Sequence, residues 1–262
     1  MAMLLLMGGL SLQCMAQTPF EKAFADMHSS DPAVVNKARM SMALLAEQEM
    51  PTIEKDTATL CDALADPDAM IRLQASGILS TITLIAHEHN QVVVSCFPQL
   101  IAAASDPADR VRNNSLFALA MNPAGPPPQA HDVFVKSLQS SNFRTAEVGA
   151  AGLLKEGTNA QANQSLVKKA LDEAPDAKHK LNILYAISGS RVPSDDLFQA
   201  SQKYLSDADP SVQQEAINAV VATATDKSKA ITIMQNLEDS SSASMQQKKQ
   251  AQAMLNSLNT SH

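Results

Sequence analysis

The stretch Asp66-Pro67-Asp68-Ala69-Met70-Ile71-Arg72-Leu73-Gln74-Ala75 has a second copy in Asp106-Pro107-Ala108-Asp109-Arg110-Val111-Arg112-Asn113-Asn114-Ser115. Both open on Asp-Pro, then place an apolar residue sixth, an arginine seventh and a small residue tenth. Asp-Pro returns at Asp31-Pro32 and Asp209-Pro210, with Ala174-Pro175-Asp176 as a near relative. The aspartate caps the free N–H groups of a following helix, and proline loses nothing at a first helical position. Asp68 and Asp109, just inside, suit the positive end of the helix dipole. These aspartates need no catalytic explanation. Ile71, Ala75, Ile78, Leu79 and Ile82 then mark one helix face, repeated by Val111, Ser115, Ala118 and Leu119 and by Val212, Ala216, Ala219 and Val220.

A small residue near the middle of each such helix sets a period along the chain: Ala38, Ala75, Ser115, Ala150, Asn182, Ala216, Ala251. Asn182 breaks the chemistry but keeps the spacing. Between these B helices the pattern predicts A helices over 53–65, 92–104, 132–138, 161–171, 195–205 and 228–237. One A/B pair cannot bury its apolar faces alone, but stacked pairs can. Asn122-Pro123-Ala124-Gly125-Pro126-Pro127-Pro128 cannot be helical and separates units three and four. Ser240 to Ser242 reads as a loop before the last helix, and 259–262 as a frayed end.

The quoted stretches resemble the second helix of a HEAT repeat, and the resemblance covers residues 18 to 258. It implies an all-α fold, a right-handed α-α superhelix of about seven helix pairs. It also implies a ladder of polar contacts between neighbouring repeats, made by Asp66 with Arg72 and Asp106 with Arg112. Asp31 with Lys37 is a weaker copy, and the units around Ala150, Asn182 and Ala251 lack the pair. The motif is specific for fold and unspecific for function.

Composition agrees with helices. Among 262 residues only 3% are aromatic, none is Trp and only 8 are Gly, against 45% hydrophobic residues. An all-β fold would need strand aromatics and turn glycines, and a doubly wound α/β fold would need a phosphate loop that is missing. The net charge of -7 argues against nucleic acid, whose binding is driven by phosphate neutralisation. Met3 to Leu12 is too short to span a bilayer, which takes about 20 residues. It fits the apolar region of a signal peptide cut after Ala16, leaving 17–262 as the solenoid domain, periplasmic or secreted, with no stable membrane span. No basic residue precedes the run, and Gln13 is too bulky before Cys14 for lipidation. Cys61 and Cys96 remain, either as a disulfide, which export permits, or as two small buried residues.

Chemistry-bearing motifs are weak. His87-Glu88-His89 has the wrong spacing for a helical zinc pair, which needs His at i and i+4. His28, His131, His179 and His262 are scattered. No nucleophile elbow, Cys-x-x-Cys pair or Walker loop occurs. Asn113 and Asn163 match the glycosylation pattern but fall inside predicted helices. No metal, no cofactor and no catalytic residue is implied. Three residues before each central small residue stand Arg72, Arg112, Glu147, His179, Gln213 and Lys248, which stacking aligns into a strip. The strip serves as interrepeat ladder or as a grip on a partner, with Gln74, Asn113, Arg144 and Gln214 beside it on what is usually the concave surface in this family. The expected function is noncatalytic binding of a protein or peptide. The alternatives are an enzyme resembling the HEAT-like bilin lyases and a nucleic-acid-binding solenoid like the alkylpurine glycosylases.

Overall fold

The computed structural model describes residues 19–48, 56–85, 90–157 and 159–260. The signal-peptide segment, Cys14, the His87-Glu88-His89 motif and His262 lie outside them. The chain divides into two compact units, residues 1–56 and 57–262. In the first, α1 (Pro19–Met27) packs on α2 (Pro32–Gln48), burying Ala23, Met27 and Ala38. Asp31 caps α2 through its carboxylate, 2.8 Å from the Ala33 N–H, while Lys37 is exposed.

The second unit is a two-layer stack of helices, with no strand among the described residues. The A layer holds α3 (Thr57–Asp62), α5 (Asn90–Ser95) with α6 (Phe97–Ala103), α8 (His131–Leu138), α10 (Ala160–Asp172), α12 (Asp195–Gln202) and α14 (Lys227–Asp239). The B layer holds α4 (Ala69–Ile85), α7 (Asp109–Ala120), α9 (Phe143–Lys155), α11 (Ala177–Ser190), α13 (Pro210–Thr223) and α15 (Met245–Thr260). Each B helix but the last packs on the next B helix; from α7 onward each also packs on its own A helix, while α4 packs on the 3-10 turn that follows α3. The predicted A helices are present among the described residues (53–55 of the first lie outside them), but three are interrupted. Single 3-10 turns follow α3 and α12, and Cys96 breaks the third unit between α5 and α6.

The core lies between the layers. Leu60, Ile71, Leu79, Ile82, Leu100, Leu116, Leu119, Phe134 and Leu153 are completely buried, each worth roughly 1.5–3 kcal/mol of apolar transfer. Cys61 and Cys96 form a disulfide with Cα atoms 5.0 Å apart. It staples the second A helix to the third. Of the 122–128 stretch, residues 122–127 are non-helical, with Gly125 at φ 86°, whereas Pro128 opens a single 3-10 turn, Pro128–Ala130, whose first position tolerates proline. Asn122 anchors it by a reciprocal amide pair with Asn90, at 2.9 and 2.7 Å.

The turns between A and B helices carry the repeat more faithfully than the helices do. At Asp66, Asp106, Ser140 and Asp207 a side-chain oxygen accepts the backbone N–H two residues on, at 2.7 to 3.1 Å. Six residues after three of these, a long side chain reaches back to the turn carbonyl: Arg72 to Asp66 (2.8 Å), Arg112 to Asp106 (2.9 Å) and Gln213 to Asp207 (2.5 Å). The same position then reaches forward. Arg72 Nε donates to Asp106 Oδ2 at 2.6 Å, and Lys180 Nζ to Asp207 Oδ2 at 2.8 Å. From unit three to unit four the ladder detours. Ser140 offers no carboxylate, so Arg112 pairs with Asp109 at 2.5 Å and Asp109 accepts from Asn142 at 3.3 Å. From unit four to five the rung positions are Ala146 and Ala174, and an edge-to-face contact of Phe143 with His179 stands nearby.

Burial works to raise the Asp106 carboxyl, but the Arg72 guanidinium and the Ala108 N–H outweigh it and hold it below the usual carboxylate range. The same balance, with Lys180 and the Asp209 N–H, lowers Asp207. A lowered folded value means stability that is fully present above the unfolded value near pH 4 and lost as pH falls through the folded one. Asp106→Asn is therefore expected to cost about 1.5–3 kcal/mol at neutral pH. Its penalty should shrink as pH falls below about 4, where the parent protein loses the same charge. Urea melts of both proteins across pH 2 to 7 check this; a pH-independent difference contradicts it.

Candidate functional site

From α4 to α13 helical periodicity leaves one stripe of each B helix exposed or half-buried, opposite the core-facing stripe. On α4 it runs through Met70, Gln74, Gly77, Thr81 and Leu84; on α11 through Lys178, Asn182 and Tyr185. Leu84 and Tyr185 are each 59% exposed, large apolar surfaces that no neighbouring repeat covers. α7 contributes Arg110, Asn113 and Phe117, with Met121 just past its end; α9 contributes Arg144, Val148 and Ala151, and α13 contributes Gln214 and Asn218. Amides recur along this face. Asn113 accepts from Thr145 Oγ1 at 2.8 Å, and Gln214 accepts from Gln246 at 3.1 Å, so their side chains are held in place.

The sequence-predicted residues split into three groups. Gln74, Asn113, Arg144 and Gln214 lie on the open stripe. Arg72, Arg112 and Gln213 do not; they are half-buried in the ladder just described. The remaining members are displaced because the central small residue shifts register. In unit four Gly149 occupies the tight crossing, and in unit five Ile183 replaces Asn182 as the buried residue. Counting back from Ala150 and Asn182 thus lands one place off the ladder. Glu147 has a mostly buried side chain, 3.8 Å from Arg144. Burial raises its carboxyl, Arg144 opposes this, and Glu215 adds to it. His179 is buried at 8% exposure, with Nδ1 2.9 Å from Asp176 Oδ1. Lys248 is half-buried on α15.

Sequence reading missed Leu84, Phe117 and Tyr185. The signal was available one to three turns along each helix from the residues it chose. An apolar residue on a stripe that is otherwise polar should stand out, but only once the core-facing stripe is fixed.

Other chemistry is dispersed. Among the described residues no group of three His, Cys, Asp or Glu could hold a metal ion, and no helix is long and apolar enough to cross a membrane. His131 bonds Glu156 at 2.7 Å within the fourth unit, while Glu156 also accepts from Asn163 of the fifth unit at 3.2 Å. Glu156 and Asn163 are buried and His131 is partly exposed, and together the three tie the turn after α9 to α8 and α10. Asn163 itself is fully buried within α10, as a helical core position requires.

No family model matches the chain. No curated protein matches it either. Solved structures do. One engineered protein superposes with a TM-score of 0.58 at 20% identity, over 92% of this chain and 68% of that one. Another gives 0.56 at 20% identity, over 79% and 96%. A designed armadillo repeat protein, in complex with the peptide (KR)4, gives 0.56 at 17% identity, over 79% and 99%. The likeness is one of fold, and it agrees with the two-layer stack and its repeating turns: the chain is an all-α solenoid of HEAT-like helical repeats.

Proposed function

We propose that this protein is a noncatalytic, exported scaffold that binds a protein or peptide partner along the open face of its B helices. The observation that carries the reading is the uncovered stripe itself, with Leu84 and Tyr185 each 59% exposed among ordered amides. Stacked cores hold such a face rigid, so little ordering entropy is lost when a segment lies across it. The fold likeness to a designed armadillo repeat protein in complex with a peptide supports a polypeptide partner. The net charge of -7 favours a polypeptide over nucleic acid. Export is supported by the apolar run at Met3 to Leu12 and by the Cys61–Cys96 disulfide, because cytosolic thiols are kept reduced.

Crosslinked affinity purification of the tagged chain from its own cells, read by mass spectrometry, tests both parts. The expected result is a mature N-terminus at Gln17 and a stoichiometric partner. That partner should be lost in a Leu84→Ser/Tyr185→Ser variant whose circular dichroism is unchanged. An intact Met1 contradicts export, and a partner retained by the variant contradicts the face.

A further inference from the structure

We propose that the pocket between the third and fourth units, at turns 105–107 and 139–141, takes up the carboxylate of an aspartate or glutamate side chain from a partner polypeptide. The proposal rests on the reading that the chain binds protein segments, but its site lies at the A-to-B turns rather than along the B-helix stripe.

The neighbouring gap of the same chain shows which group belongs there. Arg72 holds the Asp106 carboxylate with two donors, Nε at 2.6 Å and Nη2 at 3.3 Å, while its Nη1 stays on its own turn carbonyls. One repeat on, Arg112 keeps the backward bond, Nη1 to the Asp106 carbonyl at 2.9 Å, and its Nη2 turns aside to Asp109. Its Nε, the atom that makes the shorter contact in Arg72, has no acceptor among the described residues. The cause is Ser140. Its hydroxyl accepts the Asn142 N–H as the Asp106 carboxylate accepts that of Ala108, but the side chain is one atom shorter and carries no charge. This rung therefore keeps its cation and lacks its acid. In the next gap both positions are alanine, so neither half is present.

Beside that half rung lies a pocket of about 530 Å³. Arg112 lines it with 21% of its side chain exposed, and Nε is not among the atoms that the fold seals off. Lys136 lines it too, exposed and without an ion pair among the described residues. Asp106 and Asp109 are already met by Arg72 and Arg112, so Lys136 leaves one positive charge over. One carboxylate from outside balances the set. Arginine binds a carboxylate by short, charge-assisted N–H bonds that a neutral amide does not match. Gln139 and Ser141, both exposed, line the remaining space and can bond the peptide groups that flank such a side chain.

The test uses the full chain. The N-acetyl amides of aspartate, glutamate and asparagine, and acetate and inorganic phosphate alone, are titrated at neutral pH and low salt and read by amide NMR. The expected result is saturable binding of the two acidic amides, with shifts at Ser141, Asn142 and Thr145. The asparagine probe should bind about tenfold more weakly, because it brings no charge to Arg112. Lys136→Gln alters an exposed residue outside the ladder and should weaken the acidic probes roughly threefold. Ser140→Asp places the proposed occupant in the chain itself and should abolish their binding. Absence of saturable binding overturns the proposal, as do equal affinity for the aspartate and asparagine probes and binding that survives Ser140→Asp. Acetate binding as tightly as the blocked residues overturns the assignment to a polypeptide side chain, and phosphate binding more tightly overturns the assignment to a carboxylate. The titration needs no partner, so its failure counts against this pocket alone and leaves the B-helix face to the purification.

Discussion

Replacing Cys61 and Cys96 together by alanine is expected to destabilise the protein by about 4 kcal/mol, the chain-entropy value for a crosslink of this span. The two cysteines are 35 residues apart in sequence. The magnitude matters more here than the span alone suggests. The A helices they join are short: α3 has six residues, and α5 and α6 are separated at Cys96 itself. Short helices are marginal without packing, so the staple compensates where the A layer is weakest. At about 2–4 °C per kcal/mol for a chain of this size, the melting temperature should fall by roughly 10 °C. Adding reductant to the parent protein should reproduce the shift, and adding it to the double variant should do nothing. A parent melt that ignores reductant contradicts the linkage.

Gly149→Ala carries the next largest effect. A Cβ at Gly149 would lie 2.5 Å from the Leu138 nitrogen, 2.8 Å from the Phe134 carbonyl oxygen and 2.9 Å from the Ser137 carbonyl carbon. All three are backbone atoms of α8 or its end, so no rotamer change relieves the contact. The two helices must separate, which also loosens Phe134, the largest fully buried side chain. The expected cost is about 3 kcal/mol, the upper end for overpacking. It outweighs the gain in helix propensity of roughly 1 kcal/mol that Gly to Ala gives at an unconstrained helical site. A thermal melt checks it; a variant as stable as the parent would mean that α8 and α9 are not in contact there.

The fold was legible because its signals are local. Capping aspartates, helix-breaking prolines and apolar stripes each act within a few residues, and together they placed the helices of 57–258; the frayed end expected from 259 is corrected, since α15 runs to Thr260. The turn at Asn122–Pro127 followed from its prolines. The ladder was half legible. A ladder between repeats was implied for the pairs Asp66 with Arg72 and Asp106 with Arg112; each arginine does reach back to its own turn, and the contact between repeats is made by Arg72 to Asp106. What sequence could not show is that Ser140 lacks the carboxylate reach and that Asp109 and Asn142 take over. The register error at Glu147 and His179 has the same origin. Counting from a small residue assumes that every crossing uses the same place, whereas Gly149 and Ile183 show that the crossing moves by one. The turn residue is the better origin, because its hydrogen bond fixes the backbone directly.

The open stripe of the B helices, the face proposed for binding, was legible only in part. Gln74, Asn113, Arg144 and Gln214 were found because they neighbour the ladder in sequence. Tyr185 and Leu84 were missed because an apolar residue on a helix reads as core until the opposite stripe is known to be filled. The pairing of Cys61 with Cys96 was open for a geometric reason: only the stacking of the second and third A helices brings their Cα atoms to 5.0 Å.

Site-specific photocrosslinking tests the central claim most directly. A photoreactive residue is placed at Tyr185 or Gln214 on the B-helix face, and as a control at the exposed Gln199 on α12 of the A layer. After irradiation in the native cells, the account expects a discrete adduct with one partner from Tyr185 and Gln214 and none from Gln199. Adducts from Gln199 with none from the other two would contradict it, and would place binding on the opposite layer.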